Sequence, residues 1–525
     1  MAASPRLLSQ SLVLPLVFLL LLRLFFQSSF PVLGDEAYYF YWGHHFAGGY
    51  YDLPPMVGWW ERFFTFFSDH PFWLRLPNLI SLVVVGFGLR EWMAIHTSRS
   101  KAVTTTLLYL VSPLPFLAVL VSHDVLLLFF TFFSALLFFQ AGQSKNSWKE
   151  FLFSGVLWGA GFLSKYFAVF ILPFYLIWHF TRKKGHRPLF GMIWFALGAS
   201  PFLLQHLHWN ANHCWANFVF NLVTRQKASD GTVFQTFGLY VVYLLLLVTP
   251  VFWMDLFKTP IRKWFQKRST LESFALGMWL VPISIFGITA LMGRGQGLHW
   301  YFPYLPFFFM WVGIRFPLEE LQFKLRSMTY FTYALAMIIA IGLFFPDSVV
   351  RRFVPERFSL DYEIAFHGDE WVEKIAGELN TPNWGEVDLV VTDGYSQASV
   401  LDHRMRLLLK KNHIGDRSIV PPVTVWDHGS RFGRVFDWTV NFLEFEGKNL
   451  ALVSRSPLPS YRWEPYFQNH HQISKEVNGI QFWITLGRGF RARKYVEEVM
   501  VPNWKNAYPP FFLENQITSR CELRG

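Results

Sequence analysis

The sequence predicts a polytopic α-helical membrane protein that continues into a smaller α/β domain. Three observations carry that reading. Hydrophobic residues make up 52% of the 525 residues and charged residues only 16%, whereas soluble domains carry roughly a quarter charged residues. Apolar runs long enough to cross a bilayer recur throughout residues 1–346. From residue 347 onward prolines, polar residues and charges become ordinary for a soluble domain. The 59 Phe and 23 Trp fit lipid-facing helices with aromatic interfacial belts.

The first apolar run, residues 9–30, lacks a small-residue cleavage site after it and reads as a retained first helix. Further spans are expected near 72–95, 103–121 and 124–142. The basic loop at 96–101 marks a cytoplasmic face, which puts residues 31–71 and His123-Asp124 on the opposite face. The apolar stretch 151–180 is too long for one span, and Lys145, Lys149, Arg182, Lys183, Lys184 and Arg187 flank it on both sides. The simplest solution is a hairpin of two short helices bent near Gly161 to Lys165, which sets Lys165 at the base of a polar cavity. Spans then follow near 188–206, 235–256, 272–291, 301–315 and 328–345, with 316–327 as a cytoplasmic return. About eleven transmembrane helices result, with the N-terminus inside and the C-terminal domain (347–525) extracytoplasmic. In that domain 387–392 and 449–454 read as buried strands and 396–410 as a helix.

The formal net charge of +11 does not point to nucleic acid, because apolar runs separate the basic residues. It fits positive-inside loops and a few cations near anionic lipid. Cys214 and Cys521 form no metal-type spacing, and two unpaired thiols are the simpler expectation.

Five clusters carry candidate chemistry. Asp35-Glu36 follows the first span, with Asp35 alternatively a helix N-cap. Ser122-His-Asp124 lies on the same face, either as a second carboxylate or as a solvated turn. Lys165 sits inside the long apolar stretch, where a charge is expensive unless it has work to do. Arg225 and Lys227 lie on the face where basic residues are disfavoured, and Arg294 with His299 forms the last cluster. Carboxylates and cations on one face suit transfer from a phosphate leaving group. A carboxylate takes the proton of an acceptor hydroxyl, and Lys or Arg stabilises the departing phosphate. No Gly-rich nucleotide loop is present, so a donor embedded in the bilayer is expected.

Asp35-Glu-Ala-Tyr-Tyr39 and Gly49-Tyr-Tyr-Asp-Leu-Pro-Pro-Met56 resemble the corresponding segments of glycosyltransferase family 39, in the GT-C superfamily. Ser122-His-Asp124, Leu163-Ser-Lys-Tyr166 and His299-Trp-Tyr-Phe-Pro303 occur in the expected order. The protein O-mannosyltransferases and the lipid A aminoarabinose transferase belong here, and Asp393-Gly-Tyr-Ser-Gln-Ala-Ser399 resembles the lipid A branch. The resemblance implies an inverting transfer from an undecaprenyl-phosphate-linked sugar, in the inner membrane, with site and C-terminal domain facing the periplasm. It implies Asp35 as the base, Glu36 as its neighbour of open role, and Asp124 as a second active-site carboxylate. Lys165, Arg225, Lys227 and Arg294 are then candidates for the carrier phosphate, and Tyr38, Tyr39, Tyr51, Asp52 and His299 for the sugar or acceptor pocket. The acceptor implied is lipid A, with a protein hydroxyl as the alternative. Many relatives carry Lys or His where this chain has Leu53. Asp52 and His299 also match places that can hold a divalent metal, but two ligands are too few, so no metal is expected. A flippase of lipid-linked material is the competing reading; it calls for broken helices in symmetric halves, and only one such region is visible. A membrane scaffold gives no reason for the acidic first loop.

Overall fold

The structure is a computed structural model that describes residues 10–144, 147–182, 188–224, 231–258, 268–344, 347–350, 352, 359–379, 387–412, 421–426, 434–454, 457–477 and 480–507. The helices run in the order α1 (Gln10–Ser29), α2 (Gly34–His44), α3 (Met56–Thr65), α4 (Pro71–His96), α5 (Arg99–Val111), α6 (Pro113–Leu117), α7 (His123–Ala141), α8 (Trp148–Ser164), α9 (Leu172–Arg182) and α10 (Pro188–Asn212). They continue with α11 (Val233–Lys258), α12 (Thr270–Leu291), α13 (Leu305–Arg315), α14 (Leu318–Phe344), α15 (Ser359–Leu379) and α16 (Tyr395–Asn412). Five strands are β1 (Leu389–Thr392), β2 (Val423–Val425), β3 (Leu450–Ser454), β4 (Asn469–Val477) and β5 (Ile480–Arg488). The chain forms two compact units: residues 1–30, 75–206 and 229–345 in the first, and 31–74, 207–228 and 346–525 in the second.

The first unit is helical and integral to a membrane. Among the described residues five helices are long and apolar enough to cross, or six if one bent pair counts as a span. The remaining expected spans appear as shorter pieces. The stretch 103–121 is divided between α5 and α6, because Pro113 and Pro115 interrupt the backbone ladder. The helix expected at 235–256 kinks at Thr249, whose φ is +59°, immediately before Pro250. The return expected at 316–327 is instead the start of α14, with Glu319 and Glu320 in its first turn, where the helix dipole favours acids.

Polar groups inside this unit are used as joints. The Arg75 guanidinium is fully buried and donates to the carbonyls of Gln27 (3.0 Å) and Phe30 (2.9 Å), capping the end of α1. Arg23 donates to the carbonyl of Pro115 at 2.6 Å and to that of Ala118 at 3.2 Å, around a helix that its prolines leave short of intrahelical bonds. Between α7 and α8, Ser134 Oγ donates to the Ser154 carbonyl (2.9 Å) and Ser154 Oγ to that of Ser134 (2.8 Å), the kind of interhelical bond favoured where no water competes. α8 and α10 approach backbone to backbone: a Cβ at Gly155 would overlap the Phe195 carbonyl, and one at Gly198 the Leu152 carbonyl.

The second unit contains a five-stranded sheet in the order β2-β1-β3-β5-β4. β1 runs parallel to β2 and β3, while β5 pairs antiparallel with β3 and β4. Leu-Val-Val-Thr of β1 and Leu-Ala-Leu-Val-Ser of β3 are buried at every position, as central parallel strands require. In the same unit α2 is buried almost all round: Trp42 stacks on Tyr50 at 4.1 Å and 6°, and the Tyr50 hydroxyl donates to the Trp42 carbonyl at 2.9 Å. Phe63, Phe66 and Phe67 point outward beside α3, an aromatic face suited to an interface. Cys214 is disulfide-bonded, which overturns the expectation of two unpaired thiols; Cys521 lies outside the described residues.

His403 on α16 is buried edge-on against Phe40 at 4.5 Å. Burial, then the neighbouring Arg404 charge, holds its pKa down at about 3, against small opposing effects of Asp69 and a further lowering by His44. The unfolded chain therefore takes up a proton near pH 6.5 that the folded chain refuses, so stability falls as pH drops from about 6.5 toward 3, by roughly 1.4 kcal/mol per pH unit. Replacement His403→Phe should flatten the pH dependence of the melting temperature across that window. Gly198→Leu in the first unit should cost about 1–3 kcal/mol or more through overpacking, read as a lower unfolding midpoint in detergent; an unchanged midpoint would refute the close helix approach.

Candidate functional site

Two clusters of charged side chains stand out, one in each unit. In the second unit, Asp35 lies in the first turn of α2, is solvent-exposed, and faces the favourable end of the helix dipole. It is not the N-cap: that position is Leu33, which makes no side-chain cap. The Tyr395 hydroxyl, at the start of α16, donates to Asp35 Oδ1 at 2.9 Å. Glu36, next along the helix, is buried at 2% exposure. It lies near Glu61 of α3, whose carboxyl is pushed well up, first by burial and then by the Glu36 charge.

Asp52 is buried in the loop before α3 and accepts from both sides. The Tyr38 hydroxyl donates to Oδ1 (3.0 Å) and Arg434 Nη1 to Oδ2 (2.9 Å), while the Asn221 amide donates to its carbonyl (2.8 Å). Burial raises the Asp52 pKa, against the guanidinium and the Tyr38 hydroxyl, which both favour the carboxylate. Arg434 lies with φ +51°, an uncommon conformation for a side chain with a Cβ. Its guanidinium sits 3.6 Å over the Tyr395 ring, and the next backbone N–H, of Val435, donates to the Tyr38 hydroxyl at 3.1 Å. Asp52 thus has a cation against one carboxylate oxygen and a hydroxyl against the other, an arrangement that does not fit a divalent metal ligand. Among the described residues no group of three or more His, Cys, Asp or Glu side chains is arranged to hold a metal.

In the first unit the cluster forms at the break between α8 and α9. α8 ends at Ser164, Lys165 takes an extended conformation, and a 3₁₀ turn covers Tyr166–Ile171. This exposes Lys165 to a partner instead of a helix flank. Its ammonium lies 2.8 and 3.0 Å from the two carboxylate oxygens of Asp124, in the first turn of α7, and both residues are buried. Ser122 caps α7 by accepting from the Asp124 N–H at 3.1 Å, and its hydroxyl lies 3.2 Å from Asp124 Oδ2. His123 Nε2 is 3.3 Å and His299 Nε2 3.8 Å from the same carboxylate oxygen. The rings of Phe167 and Trp300 lie 4.5 and 5.4 Å from the ammonium, which cation–π attraction favours.

The structure therefore brings Asp124, Lys165 and His299 together in one unit, and Asp35, Glu36, Tyr38 and Asp52 together in the other. Tyr39 and Tyr51 are buried against Trp42 and Phe220, at 5.2 and 5.3 Å. Arg294 lies half-buried in the turn after α12, its N–H donating to the Thr289 carbonyl at 3.1 Å. Arg225 and Lys227 lie outside the described residues. Sequence reasoning missed Arg434 entirely, and it singled out the segment containing Tyr395 without giving the tyrosine a role.

Across 90% of this chain and 97% of the other, the fold matches the crystal structure of ArnT from Cupriavidus metallidurans in the apo state, with a TM-score of 0.57 and 16% identity. The chain shares this fold. Residues 52–207 match the family described as dolichyl-phosphate-mannose-protein mannosyltransferase. A lipid A galacturonosyltransferase, RgtD of Rhizobium johnstonii, is 28% identical over 182 residues, covering 34% of this chain and 38% of that protein. The undecaprenyl phosphate-alpha-4-amino-4-deoxy-L-arabinose arabinosyl transferase of Aeromonas salmonicida is 27% identical over 264 residues, covering 46% of this chain and 47% of that protein. The chain thus spans less than half the length of these curated relatives. The shared fold comprises a polytopic helical unit and a sheet-containing unit.

The Asp124–Lys165 pair gives a direct test of the first cluster. Lys165→Met leaves a buried carboxylate without its ammonium and should cost about 3–5 kcal/mol, whereas adding Asp124→Asn should recover most of the loss. Unfolding midpoints of the two variants in detergent measure this, and a fully stable single variant would show that the pair does not matter to the fold.

Proposed function

We propose that this chain is an inverting glycosyltransferase that moves a sugar from an undecaprenyl-phosphate carrier to lipid A. The observation that carries the reading is the exposed Asp35 carboxylate, held by one oxygen on Tyr395 in the first turn of α2, in a chain with the GT-C fold. The relatives named for lipid A and for an undecaprenyl-phosphate sugar support the choice of acceptor and carrier.

In this reading the acceptor hydroxyl oxygen attacks the anomeric carbon and the bond to the carrier phosphate breaks. Asp35 takes the hydroxyl proton, and the polyprenyl phosphate leaves with the bonding electron pair. The departing phosphate calls for cations, and Lys165 and Arg294 of the helical unit are the candidates for that role. Lys165 is already paired with Asp124, so in this scheme Asp124 acts as its counter-ion and orienter, not as a second base. The site and the sheet-containing unit face the periplasm, and the chain resides in the inner membrane.

The match of residues 52–207 to a protein mannosyltransferase family supports one second reading, transfer to a protein hydroxyl. Asp35→Asn should leave the purified protein folded while lowering sugar release from a lipid-linked donor by at least about a thousandfold. Wild-type release by that variant would sink the role of Asp35. Mass spectrometry of lipid A from cells with and without the gene separates the two acceptors: a mass loss matching one sugar supports lipid A, and an unchanged spectrum removes it.

A further inference from the structure

The chain of contacts behind Asp35 extends beyond a structural clamp. Tyr395 donates to Oδ1 of Asp35 at 2.9 Å, and the aspartate is otherwise solvent-exposed. The Tyr395 ring has the Tyr38 ring edge-on at 5.0 Å and 65°, and the Arg434 guanidinium at 3.6 Å on its face. Arg434 is fixed by Asp52, and Asp52 by Tyr38 and by the Asn221 amide. A cation over a phenol ring withdraws electron density and makes the hydroxyl a stronger donor. Burial, with the Asp35 charge, pushes the Tyr395 phenol up, so it keeps the proton it donates. At the same place a Cβ on Gly34 would overlap the Ser396 hydroxyl, so the first turn of α2 is pressed against the start of α16 with no room to rotate.

We propose that Tyr395, backed by Arg434, is a positioning residue that sets the orientation of the Asp35 carboxylate. The inference rests on the reading of Asp35 as the base. It makes residues from the C-terminal part of the chain participants in the rate of transfer. Among the described residues, Asp52 and Arg434 also act electrostatically with Asp35, and Glu36 is next to it in sequence.

The test is the pH dependence of sugar transfer by the full-length protein in detergent, with a lipid-linked sugar donor. Tyr395→Phe removes one hydroxyl and keeps the ring under Arg434. A hydrogen bond to a carboxylate favours its charged form, so its loss should move the acid limb of kcat to higher pH, by on the order of one unit. At the pH optimum kcat should fall about tenfold or more, with KM for the donor within about twofold. Arg434→Lys keeps the ion pair with Asp52 but loses the flat stack, and should move the acid limb the same way by a smaller amount. If kcat and the acid limb stay at wild-type values in both variants while Asp35→Asn is inactive, the positioning role is wrong and the base assignment stands. A loss of rate with an unmoved acid limb in both variants also overturns it, because that is what a brace for the fold would give. If Asp35→Asn itself transfers at the wild-type rate, it is the proposed function that fails.

Discussion

A charge surrounded by hydrocarbon and aromatic rings must bring its own solvation, and this requirement organises the first unit. Lys165 is the clearest case. It is buried where α8 stops and the chain extends for one residue, and there its ammonium meets Asp124 at 2.8 Å. The helix break, the capped start of α7 at Ser122 and the two aromatic rings over the cation all follow from housing that one positive charge. Arg75 and Arg23 obey the same rule with carbonyl groups in place of a carboxylate. Lys324, buried on α14, lies 3.6 Å from Glu320 and over the rings of Phe252 and Phe316.

The second unit solves a related problem with different means. Asp52 is buried in a loop, where a helix dipole cannot help it, and it takes a guanidinium and a phenol as partners. Holding Arg434 at a positive φ costs on the order of 1 kcal/mol or more. The ion pair, the Tyr395 stack and the Val435 hydrogen bond to Tyr38 together keep it there. Strain and burial concentrate beside Asp35, an exposed carboxylate tied to the start of α16.

Much of the helical architecture was legible because its signals are local. The bend at Lys165 could be read from thirty apolar residues with basic flanks on both sides, and β1 and β3 from short runs of Leu and Val ended by Thr and Ser. Asp35 could be singled out by position, although its alternative role as a cap was removed only by seeing Leu33 there. What escaped has physical reasons. The hairpin of β4 and β5 begins Asn-His-His-Gln-Ile-Ser-Lys-Glu, whose weak alternation does not announce a strand. The kink at Thr249 depends on one dihedral angle. The partners of Asp35 and Asp52 lie 360 and 382 residues away, and no pattern in a single sequence links an arginine in a Gly-rich loop to an aspartate in another.

That separation has a consequence for how the molecule is made. α2 and the loop carrying Asp52 leave the ribosome early, whereas Tyr395 and Arg434 emerge after most of the chain has been inserted. At roughly 5–20 residues per second the delay is on the order of tens of seconds. Throughout that interval Asp52 has no guanidinium and Gly34 has no Ser396 to pack against. The early loop must therefore wait for both partners. The Asp35–Tyr395 and Asp52–Arg434 contacts are therefore among the last of the fold to form, and a chain truncated before Arg434 would lack the ion pair to Asp52 altogether.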